Sequence, residues 1–202
     1  MRYVCAGVAV MALLTCGAAG YAETVGDCDH AIGGALRSRA TLVVDSEPAG
    51  IEVVGTDKDE IHVTCTVKRD GDPRDIELRL SGTEGYERLK ISGGGAVHNK
   101  NLEVRIEVPK KLNLRLRMGA GQVTVSEVAG DKDIDLYAGQ ITIQLPEKES
   151  YKSVDASVDI GEVNASAYGV EKGGFFRSFS RTMGNGEYRL RAHVLTGQID
   201  LE

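Results

Sequence analysis

The sequence predicts an all-β fold, a β-solenoid or roll-like sheet built from repeats of roughly 18–22 residues. Three observations carry that expectation. From residue 41 onward, apolar and polar residues alternate almost everywhere, the period of a strand with one buried face. The composition, with 25 glycines, 4 prolines and no tryptophan, implies many turns and thin aliphatic strands. Finally, AGQVTV beginning at residue 120 returns as AGQITI eighteen residues later.

The chain begins with one basic residue, Arg2, then an apolar run from Tyr3 to Leu14 and small residues ending at Ala22. That order is a secretory signal, residues 1–22, with cleavage after Ala22. It is too short to remain as a membrane span. A second reading is open, because Leu13-Leu14-Thr15-Cys16 resembles a lipobox in which Cys16 is lipidated; this is the single route to membrane attachment that the sequence offers. The expected location is therefore exported: periplasmic, cell-surface or secreted. Loss of Arg2 takes the formal net charge from −6 to −7, and no Lys/Arg cluster forms a phosphate-binding face. Nucleic acid is not an expected partner.

Residues 23–40 form an N-terminal segment with weak periodicity, and DHAIGGALRSRA is read as a short helix interrupted by Gly33-Gly34. Residues 41–92 are read as a first β-sheet region. Its strands centre on Leu42 and Val44, on Ile51 and Val53, on Ile61 to Val67, on Ile76 to Leu80, and on Leu89 and Ile91. Two cysteines, Cys28 and Cys65, outlast the signal, and in an oxidising compartment they most simply form one disulfide. Cys65 alternates in phase with Ile61, Val63 and Val67, so a bridge would pin the segment around Cys28 onto the sheet. Two separate free thiols are the alternative. Metal binding is not expected, since only His30 and His62 lie near and no ligand spacing is present.

ISGGGAVHNKN marks a junction, because three consecutive glycines are costly to order. Residues 101–202 are the repeated region. Leu102 to Val108 and Leu112 to Met118 alternate with charged or polar partners, and then Gly121-Gln-Val-Thr-Val recurs as Gly139-Gln-Ile-Thr-Ile, as Gly161-Glu-Val-Asn-Ala and as Gly197-Gln-Ile-Asp-Leu. Glycine opens each unit because the chain turns a corner where a Cβ is excluded.

The segment VPKKLNLRLRMGAGQVTVSEVAGDKDIDLYAGQITIQLP, with the closing GEYRLRAHVLTGQIDLE, resembles the bacterial putative adhesin family, a group of exported or envelope proteins. The resemblance covers residues 41–202 as one continuous domain. It implies the repeated Gly-x-Val/Ile-x-Val/Ile architecture and brings no catalytic residues with it. Asn164 and Ala165 depart from the family's aliphatic pair.

The candidate chemistry is sparse. Asp131, Asp133 and Asp135 begin like a calcium loop, but they alternate with Ile134 and Leu136 and lack the loop's later glycine and glutamate, so they read as a solvated strand face. The four histidines are scattered, and His62 and His193 fall on outward rows. No catalytic, cofactor-binding or metal-ligating set is expected, and no cofactor. The candidate interaction site is a glycine-bounded loop holding Phe175, Phe176, Arg177, Phe179 and Arg181, which contains every phenylalanine of the chain. The alternative is that these rings fold back to close the last coil. The function expected is a non-catalytic envelope module for adhesion, with an envelope protein, a glycan or another copy of itself as partner. A signalling or envelope-stress accessory acting through a membrane partner, and a carbohydrate-active enzyme, are the other readings.

Overall fold

The structure is a computed structural model that describes residues 22–68, 72–83, 85–93, 101–145 and 147–202, and for residues 22, 101 and 171–176 the backbone alone. The predicted leader with Cys16, and residues 94–100 of the glycine junction, lie outside the described residues. Alternation has its expected outcome. The strands are β1 (Ala22–Gly26), β2 (Ile32–Ala35), β3 (Thr41–Ser46), β4 (Ala49–Thr56), β5 (Glu60–Lys68), β6 (Ile76–Thr83), β7 (Tyr86–Gly93) and β8 (Asn101–Pro109). The longer β9 (Asn113–Ser126), β10 (Lys132–Ile143), β11 (Tyr151–Ala165), β12 (Val170–Thr182) and β13 (Tyr188–Leu201) follow. There is no α-helix among the described residues, and the strands form one large mixed sheet that does not close into a barrel.

The long strands are bent, as chain length requires. Lys132 pairs with Leu114, so after Ser126 the chain returns to the beginning of β9 within a five-residue link. A straight 14-residue strand would run about 46 Å, whereas such a link spans about 20 Å. The side chains say the same. Leu114, Leu116 and Met118 are buried, and so are Val123 and Val125, although the step from 118 to 123 reverses the alternation. In a flat strand the two sets would face opposite sides; here they line one continuous core because the strand folds over between them. The same five-residue step separates Leu136 from Ile141, Val158 from Val163, and Val194 from Ile199.

The corner is a ladder of glycines. Gly121, Gly139, Gly197 and Gly161 are successive partners across β9, β10, β13 and β11, with φ between +133° and +148°. A Cβ on Gly139 would stand 1.8 Å from the carbonyl oxygen of Gly121, and one on Gly197 would stand 1.7 Å from that of Gly139. Both the left-handed φ and the backbone contact therefore require glycine.

The shorter strands are halves of bent strands broken at the same corner. Before the corner the order is β1-β6-β7-β3-β9-β10-β13-β11-β12; after it, β2, β5, β8 and β4 take the places of β1, β6, β7 and β3. Residues 41–93 and 101–201 are thus interleaved, since β3 and β4 lie between β7/β8 and β9. Each aliphatic side chain taken fully into this core contributes about 1.5–3 kcal/mol before chain entropy is counted.

Residues 29–40 correct the sequence expectation of a helix. Ile32–Ala35 is a strand antiparallel to β5, because two adjacent glycines are poor helix formers and the edge of β5 pairs their backbone groups instead. Cys28 is bonded to Cys65, with 5.0 Å between the Cα atoms and a sequence separation of 37. This bridge fastens the link between β1 and β2 to β5.

Candidate functional site on the outer face of the sheet

Strand alternation that buries Leu116, Leu136 and Val194 turns Arg117, Asp135 and His193 outward, and register sets them side by side. One outward row reads Asp45, Arg117, Asp135, His193 across β3, β9, β10 and β13; the neighbouring row reads Arg115, Asp133, Arg191, Asp155 across β9, β10, β13 and β11. Opposite signs alternate through Asp45, Arg117 and Asp135 and along the whole of the second row. Arg88 reaches Asp45 at 2.6 Å, and Asp133 is held between Arg117 at 2.6 Å and Arg191 at 3.1 Å. Burial by itself raises the Asp133 carboxyl, but the two guanidiniums outweigh it and hold it below the usual range. Exposed cross-strand pairs of this type contribute about 0.2–1 kcal/mol each. The aspartates at 131, 133 and 135 are thus spread along one outward face, each with a neighbour on an adjacent strand.

His193 departs from the exposed position expected of it. Its side chain is 26% exposed, with Nδ1 3.6 Å from Asp135 and Nε2 3.6 Å from Asp159. Beside it the row ends in an open groove of about 580 Å³. Gly119 leaves open space there, since nothing would meet a Cβ within 4 Å. Tyr137 lines it and is 69% exposed, more than any other large hydrophobic side chain among the described residues. Sequence reasoning missed Tyr137. The available signal was an aromatic residue in the outward phase of an otherwise charged strand.

A second unusual group is buried. Lys132 lies in a column whose register partners are Leu114 and Leu190, and it is 2% exposed. Its Nζ donates to the carbonyl oxygens of Val128 at 2.7 Å and Gly130 at 3.4 Å, and to the Tyr151 hydroxyl. The ammonium therefore satisfies carbonyls of the tight link between β9 and β10. Burial pulls its pKa down to about 7, against the opposing charge of Asp131. Desolvation likewise pushes the Tyr151 phenol up.

The segment predicted as an interaction loop is instead edge strand β12, antiparallel to β11 from Ser153↔Thr182 to Ala165↔Val170. Pairing with β11 satisfies backbone groups that a loop would leave to water. Arg177 and Arg181 are exposed, whereas Phe179 is buried and stacks on Tyr168 with ring centroids 5.2 Å apart. Arg181 lies 5.2 Å above the same Tyr168 ring. The side chains of Phe175 and Phe176 lie outside the described residues.

Neither a protein-family model nor a curated protein matches this chain. Among solved structures it is similar to a putative cell adhesion protein from Clostridium sporogenes, at 13% identity and a TM-score of 0.47, covering 90% of this chain and 98% of that one.

Proposed function

We propose that the protein is a non-catalytic, exported cell-envelope module that mediates adhesion by binding an envelope protein or glycan on its sheet surface. The bent strands, stacked at a spacing of eighteen residues between β9 and β10, are read as coils of a short solenoid-like roll. Such a scaffold presents a broad rigid face, and rigid faces hold contact residues at little entropic cost. The observation that carries the reading is the groove under Tyr137, where an exposed aromatic ring stands among charged side chains whose positions are fixed by strand register. The Cys28–Cys65 bridge supports export, because disulfides persist in oxidising compartments.

Proximity labelling from intact cells, comparing the wild-type chain with Tyr137→Ala, tests this. The reading expects a wall, membrane or surface component that the wild type recovers and the variant does not. Exclusive labelling of cytoplasmic proteins would contradict both export and adhesion.

A further inference from the structure

We infer that the groove beneath Tyr137 is a binding site for a neutral glycan, with Tyr137 as the stacking platform for a sugar ring. The inference rests on the adhesion reading and names its ligand class.

The polarity of the groove selects the ligand. Acceptors and donors alternate from strand to strand across it: Asp45 and Asp135 supply carboxylate oxygens, while Lys90, Arg117 and His193 supply N–H groups; a third carboxylate, Glu47 just after β3, accepts from the Gly93 N–H at 3.1 Å. A phosphate-rich or polyanionic ligand would meet carboxylates at every second strand, and an apolar ligand would strip all of these groups of water without replacing it. A sugar hydroxyl donates and accepts at once, so a surface that alternates between the two roles matches a polyol better than an ion of either sign.

Capacity remains at these groups. Asp45 has one ion pair, to Arg88, and Asp135 meets His193 at 3.6 Å, whereas an ionised carboxylate offers about four acceptor positions. The Lys90 side chain makes no hydrogen bond or ion pair among the described residues. The side chains are aimed before any ligand arrives, because Arg117 also donates to the carbonyl oxygens of Leu116 and Asp133, both at 3.0 Å.

Shape and size agree. An aromatic ring presents a flat apolar face with a polar tip, which suits the C–H face of a pyranose, and the open floor at Gly119 lets a second ring lie beside it. The groove crosses from β7 to β13, four strand spacings or about 19 Å, a span for several sugar units rather than one. Its volume of about 580 Å³ lies within the usual range of ligand sites.

The test measures retention of the full chain, with its disulfide intact, on immobilised hexamers of glucose and of N-acetylglucosamine, with oligogalacturonate as the acidic comparison. Binding to isolated cell envelopes is measured in parallel. The wild type is expected to be retained on a neutral hexamer more strongly than on the acidic one. Tyr137→Ala should weaken that retention at least about tenfold, and Tyr137→Phe, which keeps the ring, should stay within about threefold. An unchanged unfolding midpoint for both variants shows that the loss belongs to the surface. Neutral-glycan retention that survives Tyr137→Ala, or preference for the acidic hexamer, overturns the assignment. A wild type that binds envelopes and no neutral hexamer overturns it too, while leaving the adhesion reading intact. A wild type that binds neither overturns both.

Discussion

Replacing Gly139 by alanine tests the corner on which the fold depends. Gly139 has φ +133°, and its new Cβ would stand 1.8 Å from the oxygen, 2.8 Å from the carbon and 3.0 Å from the nitrogen of Gly121. All three are backbone atoms held in the β9–β10 ladder, so relief requires the ladder to open. The strained φ costs about 1–3 kcal/mol and the forced overlap about 1–3 kcal/mol more. A total of about 2–6 kcal/mol is a large share of the roughly 5–15 kcal/mol that stabilises an ordinary domain. At about 2–4 °C per kcal/mol for a chain of this size, Tm should fall by about 10 °C. Gly119→Ala, two residues before the ladder residue Gly121, is the control. Nothing lies within 4 Å of its Cβ, and the change should stay within about 0.5–1 kcal/mol of wild type. Urea unfolding of the two variants reads the difference directly. A Gly139→Ala variant within about 1 kcal/mol of Gly119→Ala would refute the reasoning that the glycine ladder lets the strands fold over.

Lys132 gives a pH dependence of fixed sign. Its folded pKa of about 7 lies below the ordinary 10.5, so between those values the unfolded chain holds one more proton, and stability rises by up to about 1.4 kcal/mol per pH unit. Below pH 7 both states are charged and the contribution is constant. Urea melts from pH 7 to 9 should show the rise in wild type and its loss in Lys132→Met; equal slopes would contradict it. Reduction of the Cys28–Cys65 bridge, which spans 37 residues, should lower stability by about 4 kcal/mol on the chain-entropy account, read as a drop in urea midpoint with and without reductant. Phe179→Ala should cost about 3–5 kcal/mol, because the ring is 6% exposed and packs on Tyr168, and it should leave envelope binding unchanged. A stable Phe179→Ala variant that fails to bind would restore this residue to the contact surface.

Much of the architecture was legible in the chain, and the parts that were not share a physical cause. Alternation located the strands, and the recurring Gly-Gln-Val/Ile-Thr-Val/Ile units located corners that register then aligned. The reversal of phase from Met118 to Val123 was equally visible and states that each long strand is bent, since only a folded strand buries both sets on one side. Interleaving of β3 and β4 between β7/β8 and β9 was not legible, because alternation specifies a strand's faces and leaves its neighbours unspecified. Ile32–Ala35 read as helix because its pairing to β5 is a long-range contact that local preference does not report. The phenylalanine-rich segment read as a loop because Gly173-Gly174 was taken as a boundary; in the structure these residues pair with Glu162 and Gly161 at the corner of an edge strand. Pairing of Cys28 with Cys65 followed from their number and from the phase of Cys65. The groove under Tyr137 needed the register of β7, β3, β9, β10 and β13 together before it took form.

The central claim is that this sheet surface binds a component of the cell envelope. The most direct measurement is an isotherm: disulfide-bonded protein titrated onto isolated envelopes, with the bound fraction read after sedimentation. The account predicts saturable binding that purified unlabelled protein competes away and that Tyr137→Ala weakens without any change in unfolding midpoint. Protein that remains in the supernatant at every concentration, or binding that neither saturates nor responds to Tyr137, would contradict it.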